Sequence, residues 1–215
     1  RTTLVPGLVR SLGRNLNLGN RDIRLFEIGN VFPAADGSRE QSSLGLVACG
    51  AFSRDFRESL ENPFTFYHLK GILEALLARL SVPFRFAQLD DFPLLHPGTA
   101  ARIETPEGVP LGFAGKLHPS LQEKLKIQDE VFLAELDMAL LSSEPLPSPR
   151  YLSYSRYPSV ERDLSFLLDS SVEFARIETE IKDLELKDLQ GFRLIDLYQG
   201  PHIKGDRISL TIRLV

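Results

Sequence analysis

A proline-rich segment constrains the fold of this chain most, because it interrupts the hydrophobic patterning. Residues 142–150 read Ser-Ser-Glu-Pro-Leu-Pro-Ser-Pro-Arg. Three prolines without a helical or strand period are typical of a linker. Patterned sequence resumes after this segment. We therefore predict two modules in the 215-residue chain, one over residues 1–141 and a smaller one over residues 151–215.

The first module opens with a predicted amphipathic helix from Thr3 to Gly19. Thr3 would cap its start, Pro6 suits the first turn, and Gly19 suits the left-handed position after the last turn. The apolar stripe of this helix could face the module's own core or a partner subunit, and the sequence leaves both alternatives open. The candidate interface residues on the stripe are Val5, Leu8, Leu12 and Leu16.

The rest of the first module alternates predicted strands with two further helices. Helices are predicted over residues 65–80 and 119–126. Strands are predicted over residues 23–28, 31–32, 44–50, 84–89, 101–104, 109–117 and 131–137, with a hairpin loop at 35–38 and a turn at 106–108. This pattern predicts an α+β module in which antiparallel strands carry helices on one face.

The second module follows the order strand, helix, strand, strand. Strands are predicted over residues 163–169, 192–198 and 208–215, and Ser170 with Glu173 suggests a capping box for the intervening helix. The helix would present Phe174, Ile177, Ile181 and Leu184. This order is the first part of a βαββαβ ferredoxin-like fold. Because the last helix and strand are missing and no initiator methionine is present, we expect the chain to be a fragment.

Charge and composition exclude several functional classes. The net charge of −4 argues against nucleic-acid binding through bulk charge, and the region from Tyr151 onward has nine basic and eleven acidic residues. No apolar run reaches the roughly 18 residues of a membrane span. The single cysteine, Cys49, points to a reducing cytoplasm. The histidines lack metal-ligand spacing, so no metal site is predicted; they are His68, His96, His118 and His202.

Two segments of the first module resemble class II aminoacyl-tRNA synthetases. They are Leu-Val-Pro-Gly-Leu at residues 4–8 and Leu-Phe-Glu-Ile-Gly-Asn-Val-Phe at residues 25–32. In active members of the class, the second segment leads into an arginine that grips the α-phosphate of ATP through charge-assisted hydrogen bonds. Here Pro33 occupies that position. The resemblance therefore implies a synthetase-like module without catalytic residues.

The remaining motifs resemble one family in particular, the β subunits of bacterial phenylalanyl-tRNA synthetase. They are residues 95–98, residues 112–119, and the run Tyr-Ser-Arg-Tyr-Pro-Ser-Val-Glu-Arg-Asp-Leu at residues 154–164. In that family a catalytically silent class II module precedes a ferredoxin-fold anticodon-binding domain. The family's editing domain would lie before this chain.

The resemblance implies a scaffold and tRNA-binding role in a class II ligase. The whole enzyme would be a cytoplasmic (αβ)2 heterotetramer that attaches phenylalanine to its tRNA, with ATP and Mg2+ used on the catalytic α subunit. No cofactor is expected in this part. The candidate RNA-binding residues are Arg156, Tyr157, Arg162, Tyr198, Lys204, Arg207 and Arg213. A solvated surface of mixed charge is the simpler interpretation of the same residues.

Two alternative functions agree with part of the sequence. The first is an inactive class II paralogue that regulates a metabolic enzyme, and the run from Arg156 to Leu164 argues against it because a regulator would not need the second module. The second alternative is an active single-chain synthetase of the organellar kind. Pro33 argues against this one, since the phosphate-binding arginine is missing.

Overall fold

The computed structural model describes residues 1–32, 40–55, 60–141, 151, 158–200, 203 and 205–215, with the backbone alone for 54–55 and 60–61. The chain divides into two compact units, Arg1–Pro149 and Arg150–Val215, called unit 1 and unit 2. The predicted loop at 35–38 and linker at 142–150 lie outside the described residues. The same holds for Pro33, Arg156, Tyr157, His202 and Lys204. The predicted module boundaries stay predictions.

Unit 1 is built on a six-stranded antiparallel sheet. Its strands are β1 Ile23–Val31, β2 Gln41–Cys49, β5 Arg85–Gln88, β6 Leu95–Glu104, β7 Pro110–Leu117 and β8 Phe132–Asp137. They lie in the order β1-β2-β8-β7-β6-β5. The remaining elements are the ribbon of β3 Ala51–Asp55 and β4 Leu60–Pro63, and the helices α1 Val5–Asn17, α2 Phe66–Arg79, α3 Pro119–Lys124 and α4 Met138–Leu141. The ribbon and α4 were not predicted.

Helices cover both faces of this sheet, so the prediction that they share one face is wrong. Val47 and Leu133 pack in one buried cluster with α1, while their chain neighbours Ala48 and Ala134 pack in a second cluster with α2. Successive residues of a strand point to opposite faces. The two helices therefore lie on opposite sides, and the central strands are buried on both faces.

A buried carboxylate from the sheet caps the first helix. Glu135 on β8 is 7% exposed, and its Oε2 accepts hydrogen bonds from the Leu4 backbone N–H at 3.0 Å and from the Thr3 hydroxyl. A carboxylate is favoured there because helix N-termini carry unpaired N–H donors and a positive partial charge. The N-cap is Leu4 rather than the predicted Thr3, but the Thr3 hydroxyl accepts a hydrogen bond from the Val5 backbone N–H at 3.2 Å. Gly19 does adopt the left-handed conformation, with φ +90°.

The second helix matches its prediction closely. α2 starts after Thr65, whose backbone N–H donates to Nδ1 of His68 at 3.0 Å. Leu69, Leu73 and Leu77 recur at helical spacing and are at most 1% exposed. This helix therefore packs on the centre of one face of the sheet.

The described part of unit 2 contains four elements: β9 Arg162–Asp169, α5 Phe174–Asp183, β10 Phe192–Tyr198 and β11 Arg207–Leu214. The strands pair antiparallel in the order β10-β11-β9, as the ferredoxin-like prediction requires. The predicted capping box is not formed: Ser170 donates to Asp206 Oδ1 at 2.6 Å, and the N-cap Glu173 has no side-chain cap. The fold class, α+β with antiparallel sheets, is confirmed. Across the described part of both units, no helix is long and apolar enough to span a membrane.

Candidate nucleic-acid interface

The three-stranded sheet of unit 2 has one partly covered and one open face. On β11, Ile208, Leu210 and Ile212 are buried, whereas the alternate residues are exposed or half-buried. Directly paired residues of antiparallel strands share a face. The strand register therefore assigns these residues to the open face: Arg193, Asp196 and Tyr198 on β10, Arg207, Ser209, Thr211 and Arg213 on β11, and Asp163, Ser165, Leu167 and Asp169 on β9.

Three of the sequence-predicted RNA-binding residues share this open face: Tyr198, Arg207 and Arg213. Arg162 does not, because it pairs with Leu214 on the opposite face. Its Nη1 donates to the carbonyl oxygen of Glu161 at 3.2 Å. The other three candidates are Arg156, Tyr157 and Lys204, which lie outside the described residues.

Arg213 is largely engaged by carboxylates of its own unit. Its Nε and Nη2 donate to the two oxygens of Asp163 at 2.7 and 2.8 Å, and its Nη1 donates to Glu161 Oε2 at 2.8 Å. Hydrogen bonds from Arg213 lower the pKa of Asp163, and Asp163 raises the pKa of Arg213 in turn. Both groups therefore stay charged at neutral pH, and the guanidinium group is held in a fixed orientation.

Arg193 is a cation of the open face that the sequence prediction missed. It lies directly opposite Arg213 in the β10–β11 pair, and 62% of its side chain is exposed. Its Nη2 lies 4.0 Å from Glu161 Oε1. Simple alternation back from Tyr198 would place Arg193 on the opposite face. The register shift between Leu194 and Asp196 brings it to the open face instead. A β-bulge there changes the phase of the strand.

The far end of the open face combines a cation with an aromatic ring. Arg207 is exposed and pairs with Asp169. The pKa of Asp169 is lowered mainly by hydrogen bonds from the Ser171 hydroxyl and the Ser171 backbone N–H, and also by the charge of Arg207. Tyr198 pairs with Ser209 and is 41% exposed. Its hydroxyl lies against Gly200, where an added Cβ would come within 2.2 Å. Part of the ring surface is thus free for stacking.

The candidate interface stripe on α1 is part of the core of unit 1. Val5, Leu8 and Leu12 are 3%, 4% and 0% exposed, and Leu16 packs against the same cluster. Gly45 on β2 lets the helix approach closely, since a Cβ there would come within 2.6 Å of Leu8 Cδ1. Val5, Leu8 and Leu12 thus belong to the core of this unit, whereas Leu16 is half-buried. A contact between this helix and a partner stays a prediction.

A different surface of unit 1 does expose apolar side chains. Phe26 and Ile28 on the edge strand β1 are 73% and 58% exposed, and Ile72 on α2 is 38% exposed. Phe26 pairs with Leu46 on β2, and a cavity of about 160 Å3 is lined by Phe26, Leu46 and Ile72 together with neighbouring residues. We call Phe26, Ile28, Leu46 and Ile72 the edge patch. Contiguous exposed apolar residues of this kind mark interaction surfaces.

The described histidines serve turns and caps. In His96, Nδ1 accepts a hydrogen bond from the Gly98 N–H at 3.0 Å, and in His118, Nδ1 accepts one from the Ser120 N–H at 3.2 Å. His68 caps α2. Within the described ranges, no group of three or more His, Cys, Asp or Glu side chains could hold a metal ion. Pro33, on which the prediction of catalytic silence depends, lies outside those ranges.

Two family models match this chain. One, described as "Phenylalanyl tRNA synthetase beta chain CLM domain", matches residues 1–138, and another, described as "Ferredoxin-fold anticodon binding domain", matches residues 155–215. Phenylalanine–tRNA ligase beta subunits of Symbiobacterium thermophilum and Carboxydothermus hydrogenoformans are 36% and 34% identical to it. Both alignments cover 100% of this chain but only 24% and 27% of those relatives. The chain thus spans about a quarter of their length.

Among solved structures, a pyrrolysyl-tRNA synthetase of Desulfitobacterium hafniense aligns with a TM-score of 0.49 and 20% identity, over 66% of this chain and 47% of that one. The sequence relatives are far more similar and extend over both units. Their agreement with the two family models, which together match nearly the whole chain, confirms the resemblance seen in its motifs. The chain belongs to the phenylalanyl-tRNA synthetase beta chain family.

Proposed function

We propose that this chain is a non-catalytic scaffold and tRNA-binding part of a phenylalanine–tRNA ligase. The observation that carries the proposal is the open face of unit 2, where Arg193, Arg207 and Tyr198 share one side of a domain whose family model is described as anticodon binding. The ligase attaches phenylalanine to its tRNA in an ATP-dependent reaction. The chemistry, with ATP and Mg2+, takes place on a class II catalytic subunit in the cytoplasm.

The open face suits a single-stranded RNA loop better than a duplex. Unpaired bases can stack on aromatic rings, and phosphates can bind the arginines that flank them. Tyr198 offers an exposed ring, and Arg207 lies on the neighbouring strand. Asp163, Asp169 and Asp196 share the face, so the local field is mixed and the affinity depends on geometry more than on total charge.

Unit 1 contributes packing surfaces to the assembly. A beta subunit requires a partner, and the edge patch offers the apolar, weakly charged surface that subunit interfaces favour at their centre. We propose that the catalytic subunit packs on this patch in an (αβ)2 heterotetramer. Catalytic silence follows from Pro33, because proline supplies neither charge nor an N–H donor to a phosphate.

The tRNA-binding part of the proposal is tested with the complete ligase carrying Arg207→Ala or Tyr198→Ala in this subunit. Each variant should raise the Kd for tRNA severalfold, since a phosphate contact or a stacking contact is lost. The matched control is Arg176→Ala, which removes an exposed arginine from α5 rather than from the open face. If the open-face variants and the control bind tRNA with equal affinity, this face is not the site.

A further inference from the structure

Two arginines face each other on the open face with one carboxylate between them. Arg193 and Arg213 are direct cross-strand partners, an arrangement of like charges that destabilises a sheet unless an anion compensates. Asp163 compensates Arg213, and Glu161 is the anion that approaches both arginines. Its Oε2 accepts from Arg213 Nη1 at 2.8 Å, and its Oε1 lies 4.0 Å from Arg193 Nη2. The pair therefore holds one bridging anion supplied by the chain itself.

The two carboxylates near Arg213 are held differently. Asp163 is a strand residue paired with Arg213 in the register, and it takes up the Nε and Nη2 edge of the guanidinium group in a bidentate contact. Glu161 precedes β9, is 49% exposed, and contacts the remaining Nη1. Asp163 thus orients Arg213, whereas Glu161 occupies the part of the arginine pair that faces solvent.

We propose that Glu161 acts as an internal substitute for an RNA phosphate and is displaced by the tRNA backbone when it binds. Carboxylates and phosphates accept hydrogen bonds from guanidinium groups in the same geometry, so one can replace the other on the same arginines. Exchange costs little on the side of Glu161, because a half-exposed carboxylate is readily hydrated again. The inference rests on the proposed function and refines how its site recognises RNA.

The exchange has two consequences for binding. The arginine pair is already neutralised in free protein, so fewer counterions are released when a phosphate arrives and the salt dependence becomes shallower. Weak polyanion contacts are also disfavoured, since each must displace Glu161 first. Arg213 in this scheme is a positioning residue for the pair, and Arg193 provides the exposed contact.

The test uses the full-length subunit assembled with its catalytic partner, and it measures tRNA affinity over a range of salt concentrations. Glu161→Gln should tighten binding roughly threefold to tenfold at low salt and steepen the log–log salt dependence by about one, because one more cationic site becomes available to phosphate. The control Glu180→Gln makes the same charge change at an exposed position of α5 and should change neither quantity. Arg193→Ala should weaken binding.

The outcomes separate this inference from the proposed function. Both the inference and the proposed function are supported if Glu161→Gln binds tRNA more tightly, Glu180→Gln binds it unchanged and Arg193→Ala binds it more weakly. If Arg193→Ala weakens binding while Glu161→Gln leaves it unchanged or weaker, the displacement inference is overturned and the open face remains the site. If neither position affects binding, the displacement inference fails and Arg193 is removed from the site, while the Arg207→Ala and Tyr198→Ala variants decide the proposed function. Thermal unfolding checks that each variant is folded. If Glu161→Gln does not fold, Glu161→Ala takes its place in the same measurements.

Discussion

The guanidinium group of Arg213 and the carboxylate of Asp163 form a bidentate contact across the β9–β11 pair, at 2.7 and 2.8 Å. This contact joins the first strand of unit 2 to its last described strand. Arg213 lowers the pKa of Asp163, which is therefore charged in the folded state at a pH where an unfolded chain has begun to bind protons. The contact has a pH signature that can be measured.

Asp163→Asn should reduce the stability of unit 2 at neutral pH. In acid, the difference in stability between the variant and the unmodified protein should disappear. A carboxyl whose folded pKa is depressed contributes stability above its unfolded pKa, and that contribution disappears as the pH falls through the folded value. The urea midpoints of the full-length subunit and of the variant should thus differ at pH 7 and converge below the usual aspartate range. A difference that persists unchanged in acid would show that the aspartate acts through packing instead.

Glu135→Ala should destabilise unit 1, because it removes the acceptor from the start of α1. The Leu4 N–H and the Thr3 hydroxyl would lose a buried partner, at a cost of about 1–3 kcal/mol. Thermal unfolding of the variant measures the loss. Glu123→Ala, at an exposed position of α3, is the matched control. Equal unfolding temperatures for the two variants would contradict the capping role.

Phe26→Asp should weaken assembly with the catalytic subunit and leave unit 1 folded. The side chain is 73% exposed, so a charge there costs little until a partner covers it and must desolvate it. Sedimentation of the assembled ligase is the measurement. Leu12→Ala provides the contrast: Leu12 is fully buried in the core of unit 1, and a cavity there should cost about 2–5 kcal/mol of stability. Intact assembly with Phe26→Asp would remove the edge patch from the interface.

The elements that the sequence predicted best are those with a clear apolar period. The strand at 192–198 and the helix at 66–79 fall within their predicted ranges, because an alternating or helical stripe shows directly in the sequence. The same reasoning could not tell which face of the unit 1 sheet each helix covers. β8 is buried on both sides, so its run of apolar residues carries no period from which to assign α1 and α2 to opposite faces.

The candidate site was harder to predict because it depends on register. Counting back by twos from Tyr198 puts Phe192 and Leu194 on the tyrosine's face and Arg193 on the other. The irregularity between Leu194 and Asp196 reverses this assignment and brings Arg193 opposite Arg213. A bulge leaves no local signature among these residues, so Arg193 was missed. The stripe on α1 was ambiguous for a different reason, since a core face and an interface face have the same composition.

The central claim is that this chain binds tRNA without taking part in the chemistry, and separating two activities of the complete ligase tests it most directly. With Arg193→Ala and Arg207→Ala combined, the KM for tRNA in aminoacylation should rise roughly tenfold, as expected for the loss of two phosphate contacts. Phenylalanine-dependent ATP–pyrophosphate exchange, which needs no tRNA, should be unchanged. A parallel fall in exchange, or an unchanged KM for tRNA, would contradict the account.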